Sequence, residues 1–175
     1  RKSLAAERCI TDFAFYGAAG FENRDQLQAL TDSGVCAFKT FLHPAPKGRE
    51  PEFIGLTVND DGQLFMMMRE AAKTGARFIF HCENYKLIEK MEEYLHDTGC
   101  RDCSFHYKSR PKIAETESVA TIIQFARATG CKVGIAHISA PEACALVRQA
   151  QADGLDITAE TCFHYLCFTE KDIDA

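Results

Sequence analysis

The chain has 175 residues, 46% hydrophobic and 26% charged, with a formal net charge of −5. This is an ordinary globular composition with enough apolar mass for one core. It has no basic stripe for nucleic acid and no apolar run near the ~20 residues that cross a bilayer.

The first residues, Arg1-Lys2-Ser3-Leu4-Ala5-Ala6-Glu7, lack the apolar core of a secretory leader. The nine cysteines are odd in number and scattered through a chain too long for a small disulfide module. Reduced thiols and a cytoplasmic location are therefore expected.

Cys9-Ile10-Thr11-Asp12-Phe13-Ala14-Phe15-Tyr16-Gly17 predicts a strand closed by glycine. Asn23 is placed to cap a helix through about Ser33, ended by Gly34. Val35 to Leu42 is apolar, β-branched and aromatic with Lys39 at its centre, and reads as a buried parallel strand. His43 to Asn59, with three prolines and two glycines, predicts an irregular loop leaving the end of that strand. Arg49 and Glu50 in it are candidates for substrate contact, although each alone reads better as a solvated loop residue.

A helix from Asp60 or Asp61 to Thr74 follows, stopped by Gly75, and then a strand, Ala76 to Asn84, that turns polar at its end. Tyr85 to His96 has the period of an amphipathic helix. Cys100-Arg101-Asp102-Cys103 follows that helix without a second ligand pair, and reads as free thiols. The pattern then predicts a loop over Phe105 to Pro111, a helix over Ile113 to Ala128 and a strand over 131–137. A helix begins at Pro141 and ends at Gly154, and a last strand runs from Leu155 to Glu160. About five strands alternating with helices imply a parallel sheet, closed as a barrel or open and doubly wound. No glycine-rich nucleotide motif follows any strand.

Lys39, His81, His137 and Glu160 all fall on or just after the C-terminal ends of strands, where parallel barrels place their active sites. Lys39 alone reads equally as a lysine snorkelling from a strand end. Together with two imidazoles at equivalent positions it points to a metal site, and imidazole suits zinc. A buried lysine freed of its charge can add carbon dioxide. The resulting carbamate resembles a carboxylate and can bridge two cations, whose bound hydroxide would attack a carbonyl.

Five ordered stretches carry a resemblance: Phe38-Lys39-Thr40-Phe41; Phe80-His81-Cys82-Glu83-Asn84; Ser109-Arg110-Pro111 with Glu115 and Glu117; Ala136-His137-Ile138-Ser139; and Thr158-Ala159-Glu160-Thr161-Cys162-Phe163-His164-Tyr165-Leu166. They resemble the cyclic amidohydrolases, which are allantoinases, hydantoinases (dihydropyrimidinases) and dihydroorotases, over about residues 9–175. The resemblance implies an α/β fold, a (β/α)8 TIM barrel of the metal-dependent hydrolase type. It further implies two zinc ions bridged by a carboxylated lysine, and hydrolytic opening of a small cyclic amide or ureide.

Lys39 matches the bridging lysine and is the catalytic candidate; His81 and His137 match the histidines of the second metal. Glu160 and His164 fall in a segment read as support. The family's His-x-His pair and its last-strand aspartate have no counterpart. Residues 1–175 therefore read as the central part of one such domain, about five of eight βα units. At most one zinc is expected, no turnover by the isolated chain, and a homo-oligomer with neither nucleic-acid nor membrane partners. The position five residues after the lysine, a tyrosine in hydantoinases, is Pro44. That favours allantoin, with hydantoins, dihydropyrimidines and dihydroorotate left open. Phe163 stands where the family usually has proline. The alternative is a non-catalytic scaffold or assembly subunit of the same fold.

Overall fold

Short runs of aromatic and β-branched residues, each followed by a helix-length crossover, dictate parallel pairing. A computed structural model describes residues 2–173; Arg1 and residues 174 and 175, the ends of the 1–175 span, lie outside them. Five strands form one parallel sheet in sequential order: β1 (Tyr16–Ala18), β2 (Ala37–Phe41), β3 (Arg77–His81), β4 (Lys132–Ile135) and β5 (Ile157–Ala159). The helices are α1 (Lys2–Arg8), α2 (Leu27–Asp32), α3 (Asp61–Thr74), α4 (Tyr85–Asp97), α5 (Ser104–Ser109), α6 (Lys112–Thr129), α7 (Pro141–Ala152) and α8 (Phe163–Cys167). No helix among the described residues is long and apolar enough to cross a membrane.

The long helices start and stop where their local chemistry requires. Asp60 accepts a hydrogen bond from the Gln63 N–H at 2.8 Å at the start of α3, and Asn84 does the same for Leu87 at 3.0 Å before α4. Each satisfies a backbone donor that has no partner inside its helix. Gly75 and Gly130 close α3 and α6 at φ 69° and 76°, a left-handed turn that a Cβ would oppose.

Side chains alternate between the two faces of the sheet. Phe38, Phe78, Val133 and Ile157 lie in one register row and are buried against α3, α6 and α7 through Met67, Met68, Val119, Ile122, Ala143 and Val147. The Phe38 and Phe78 rings stack with centroids 4.5 Å apart. Thr40 is buried on this face and donates its hydroxyl to the Ala19 carbonyl at 2.7 Å, so it leaves no unmet polar group in the core. The row on the opposite face is Lys39, Ile79, Gly134 and Thr158, and around it Ala37, Ile79 and Ala136 form a separate small cluster. A Cβ at Gly134 would lie 2.5 Å from Ile79 Cδ1, so Ile79 packs directly over the bare backbone of β4.

Several sequence expectations are corrected. The first strand is confined to Tyr16–Ala18. Residues 9–13 are exposed, Ile10 and Phe13 included, and β1 pairs only with β2 from Tyr16 onward. Apolar residues without a neighbouring strand do not make one. Asn23 stands at the N-cap position, but of a 3-10 turn at Arg24–Gln26 that leads into α2, and its side chain makes no capping bond: it accepts from the Gly20 N–H at 2.8 Å and donates to the Ala18 carbonyl at 2.9 Å. The stretch predicted as a loop over Phe105–Pro111 contains α5, opened by Asp102, which accepts from the Ser104 N–H at 2.8 Å. Cys100 and Cys103 are free cysteines, Cys103 exposed.

The loop from His43 to Asn59 is irregular apart from a 3-10 turn at Glu50–Glu52. Its far end returns to the sheet. Phe41 and Thr57 form a parallel bridge, with the Phe41 N–H donating to Leu56 and the Val58 N–H donating to Phe41, both at 2.9 Å.

Candidate active site

Lys39 is the only charged residue of β2, and it stands on the face turned away from the helices, opposite Ile79. Burial pushes its pKa below the ordinary lysine value, with Cys82 and Glu160 pulling the other way. Its Nζ lies 4.8 Å from the Phe41 ring centroid, and among the described residues no hydrogen bond or ion pair engages it. A partly desolvated amine is closer to its neutral, nucleophilic form than a surface lysine.

His81 ends β3 opposite Phe41, two residues beyond the Lys39–Ile79 pair. His137 lies just past the end of β4 at φ 38°, the one described non-glycine residue with positive φ. Histidine tolerates this region better than most side chains. The His137 turn is held from both sides. Its follower Ile138 donates its N–H to the Glu160 carbonyl at 2.8 Å, and the Glu160 N–H donates to Ile135 at 2.9 Å. The Thr161 hydroxyl donates to the Ile138 carbonyl at 2.8 Å. On the other side the Glu115 carboxylate of α6 accepts from the Ser139 N–H at 3.0 Å, the Ser139 hydroxyl at 2.6 Å and the Ala140 N–H at 2.9 Å. A matching tie fixes the turn after β3: Asn84 donates its amide to Glu117 at 2.7 Å and its N–H to the Ala114 carbonyl at 2.9 Å.

These ties bring the two imidazoles together. His81 Nδ1 and His137 Nε2 are 2.9 Å apart, with ring centroids at 4.7 Å. The other nitrogen of His81, Nε2, is 2.9 Å from the Glu83 carboxylate. Burial lowers the His137 pKa, helped by the charges of His81 and Lys39. Burial alone would raise Glu83, but the bond from His81 and the charges of His81, Arg110 and His137 hold it below the ordinary carboxylate value.

His43 completes the cluster, its ring edge-on to His81 at 5.4 Å and to Phe41 at 5.2 Å. A carbonyl can only accept, so the 2.6 Å contact between His43 Nδ1 and the Pro44 oxygen puts the proton on Nδ1. Burial lowers the His43 pKa as well. Cys82, between His81 and Glu83, is buried among the helices, and burial pushes its thiol up, which removes it as a nucleophile.

The structure thus gathers His81 and His137, and sets Lys39 on the same face one row below. Arg49 and Glu50 are exposed and use their polar groups inside their own loop, on Glu52 and the Gly48 N–H respectively. Glu160 contributes backbone support, and His164 packs on its neighbours Phe163 and Tyr165 in α8. Sequence reasoning missed His43 and gave Glu83, Glu115 and Glu117 no role. His43 had one signal, its place directly after the lysine strand. Among the described residues no third His, Cys, Asp or Glu joins the imidazole pair as a metal cluster. The two imidazoles of His81 and His137 are the side-chain donors that the structure brings together here.

No family model matches the chain. The chain is 38% identical to the allantoinase of Solibacter usitatus over 173 residues, covering 98% of this chain and 36% of that protein. It is 35% identical to the allantoinase of Desulfitobacterium hafniense over 175 residues, 98% of this chain and 37% of the relative. The solved structure of an L-hydantoinase (dihydropyrimidinase) from Arthrobacter aurescens matches with a TM-score of 0.89 at 27% identity, over 98% of this chain and 37% of that one. The chain spans little more than a third of the length of the relatives it matches. Its five-stranded parallel sheet corresponds to part of the hydantoinase barrel. Over nearly its whole length the chain is similar to part of these allantoinases and of an L-hydantoinase, and it is folded as an arc of the hydantoinase barrel.

Proposed function

We propose that these residues supply one cation site of an enzyme that hydrolyses the C–N bond of a cyclic amide. The observation that carries the reading is the convergence of His81 Nδ1 and His137 Nε2, 2.9 Å apart, at the ends of adjacent parallel strands with Lys39 on the same face. Two imidazoles suit zinc, and a site with few protein ligands leaves room for water and substrate. The neutral Lys39 amine attacks the carbon of CO2, an N–C bond forms, a proton leaves the nitrogen, and a carbamate anion results. Its two oxygens give the site the anionic donor that the described carboxylates do not provide. A bound divalent cation supplies Lewis acidity toward a carbonyl oxygen and lowers the pKa of the water it holds.

The chain's own part is positioning. The ties from Glu115, Glu117 and Glu160 fix the two histidine turns, and the pinned His43–Asn59 loop walls the site on one side. Among substrates, allantoin is favoured by similarity to the named allantoinases and by Pro44 in place of a tyrosine. Hydantoins, dihydropyrimidines and dihydroorotate form the rest of the class. These residues hold donors for one cation, so the 175-residue chain alone is inactive. A cytoplasmic homo-oligomer is supported by the free cysteines and by exposed apolar residues such as Ile10, Phe163 and Leu166.

The test is elemental analysis of the purified chain with native mass spectrometry. About one zinc per chain and a gain of about 44 Da on Lys39 are expected. A folded chain with neither overturns the metal reading. It would favour the second reading, a scaffold of the same fold, which the lack of a third His, Cys, Asp or Glu beside the imidazole pair among the described residues also supports. Sustained metal-dependent turnover of allantoin, a hydantoin or dihydroorotate by this chain would overturn its proposed inactivity.

A further inference from the structure

Glu83 is not among the donors assigned above, yet its one contact decides where the proton of His81 resides. A carboxylate accepts hydrogen bonds and cannot donate them. In a neutral His81 ring, the 2.9 Å contact from Nε2 to Glu83 therefore places the proton on Nε2 and leaves Nδ1 as a bare lone pair. Nδ1 is itself 2.9 Å from His137 Nε2. One proton must lie between those two nitrogens, so His137 carries it. The three side chains form a directed chain: His137 Nε2–H to His81 Nδ1, and His81 Nε2–H to Glu83.

The acceptor is well anchored. The next residue, Asn84, caps α4 through Leu87 at 3.0 Å, donates to Glu117 at 2.7 Å and donates its N–H to Ala114 at 2.9 Å. The Glu83 backbone is thereby tied to two helices beside the imidazole.

We propose that Glu83 is a positioning residue that locks His81 in its Nε2–H tautomer and so aims the Nδ1 lone pair into the space shared with His137. Its use for a cation rests on the function proposed above; the tautomer belongs to the chain itself. Outer carboxylates that orient metal-binding imidazoles act in this way. A consequence follows for the partner ring. His81 is ready to bind as it stands, whereas His137 must move its proton from Nε2 to Nδ1 before both rings can face a cation.

The experiment is long-range 1H–15N correlation of the imidazoles in the metal-free, chelator-treated chain near neutral pH. Wild type is expected to show His81 with a pyridine-like Nδ1 and a pyrrole-like Nε2. A scalar coupling between His137 Nε2 and His81 Nδ1 should report the bond between the rings. Glu83→Ala is expected to let His81 mix both tautomers, and Glu83→Gln, which keeps an acceptor oxygen, to hold the Nε2–H form. A wild-type proton on His81 Nδ1, or the same single tautomer in Glu83→Ala, overturns the proposal; if Glu83→Ala does not fold, the wild-type spectrum decides. A zinc titration then separates the two readings. Weakening of about 10- to 100-fold in Glu83→Ala is expected, and equal affinity in the folded variant overturns the positioning role. A wild type with the expected tautomer that binds no zinc counts against the proposed function alone.

Discussion

The carboxylate of Glu115, near the start of α6, accepts the backbone N–H of Ser139 at 3.0 Å, just past the end of β4. It also takes the Ser139 hydroxyl and the Ala140 N–H, so one side chain secures the turn that carries His137. Glu115→Ala leaves those donors to water or unpaired. The expected loss is about 1–2 kcal/mol of stability, seen as a lower urea midpoint with an unchanged slope. Zinc affinity is expected to fall with it as His137 is released, whereas Glu115→Gln, with one acceptor oxygen, should lie between.

Lys39→Met tests whether the strand lysine is kept for chemistry at a cost to the fold. Burial lowers the Lys39 pKa, so between its folded value and the ordinary 10.5 the unfolded chain holds more protons. Stability therefore rises with pH across that window, and below it the fold carries the full cost of the charge. Methionine keeps the length and removes the charge. Because Lys39 is partly exposed, screening limits the gain to about 0.5–1 kcal/mol in the metal-free chain at neutral pH. Denaturant midpoints should show it, and the ~44 Da adduct and zinc should both disappear.

His137 and His43 both have pKa values held below the ordinary 6.5, chiefly by burial. As pH falls through the unfolded value the unfolded chain takes up protons first, so stability drops with acidification until both rings are charged in the fold. Urea midpoints at about pH 7.5 and 5.5 should differ in that direction. The double variant His43→Gln and His137→Gln is expected to flatten the slope; an unchanged slope would assign it to other groups.

Gly134→Ala would put a methyl 2.5 Å from Ile79 Cδ1 and 3.3 Å from Thr158 Oγ1. The expected cost is about 1–3 kcal/mol of overpacking. Ile79→Val removes the opposing Cδ1, so the pair should be less destabilised than the two single changes added together, a coupling that a double-mutant cycle reads directly.

Some of this was legible in the residues and some was not. The lysine inside an apolar strand and the histidines after Phe80 and Ala136 were visible because each broke a local pattern: a charge where burial forbids one, or a polar end to an apolar run. β1 was overread because Ile10 and Phe13 have strand chemistry, and nothing local reveals that no partner strand lies beside them. Asn23 looked like a helix cap, but its amide reaches Gly20 and Ala18 instead, a choice made by the turn that follows β1. The roles of Glu115 and Glu117 depend on partners brought near by folding, Ser139 and Asn84. Spacing along a chain does not encode such contacts. His43 had no partner at a telling interval and became visible only when its ring was found against His81.

The bridge between Phe41 and Thr57 bears on how such a chain could diversify. The loop between them is fastened to the sheet at both ends, so its middle can change length or composition without disturbing the strand that carries Lys39. Doubling the length of a closed loop costs only about 0.6 kcal/mol in chain entropy. The exposed residues 46–52 are then free to be exchanged, while the lysine and histidines stay where the sheet puts them. Loop composition and strand composition can evolve almost independently in such a chain.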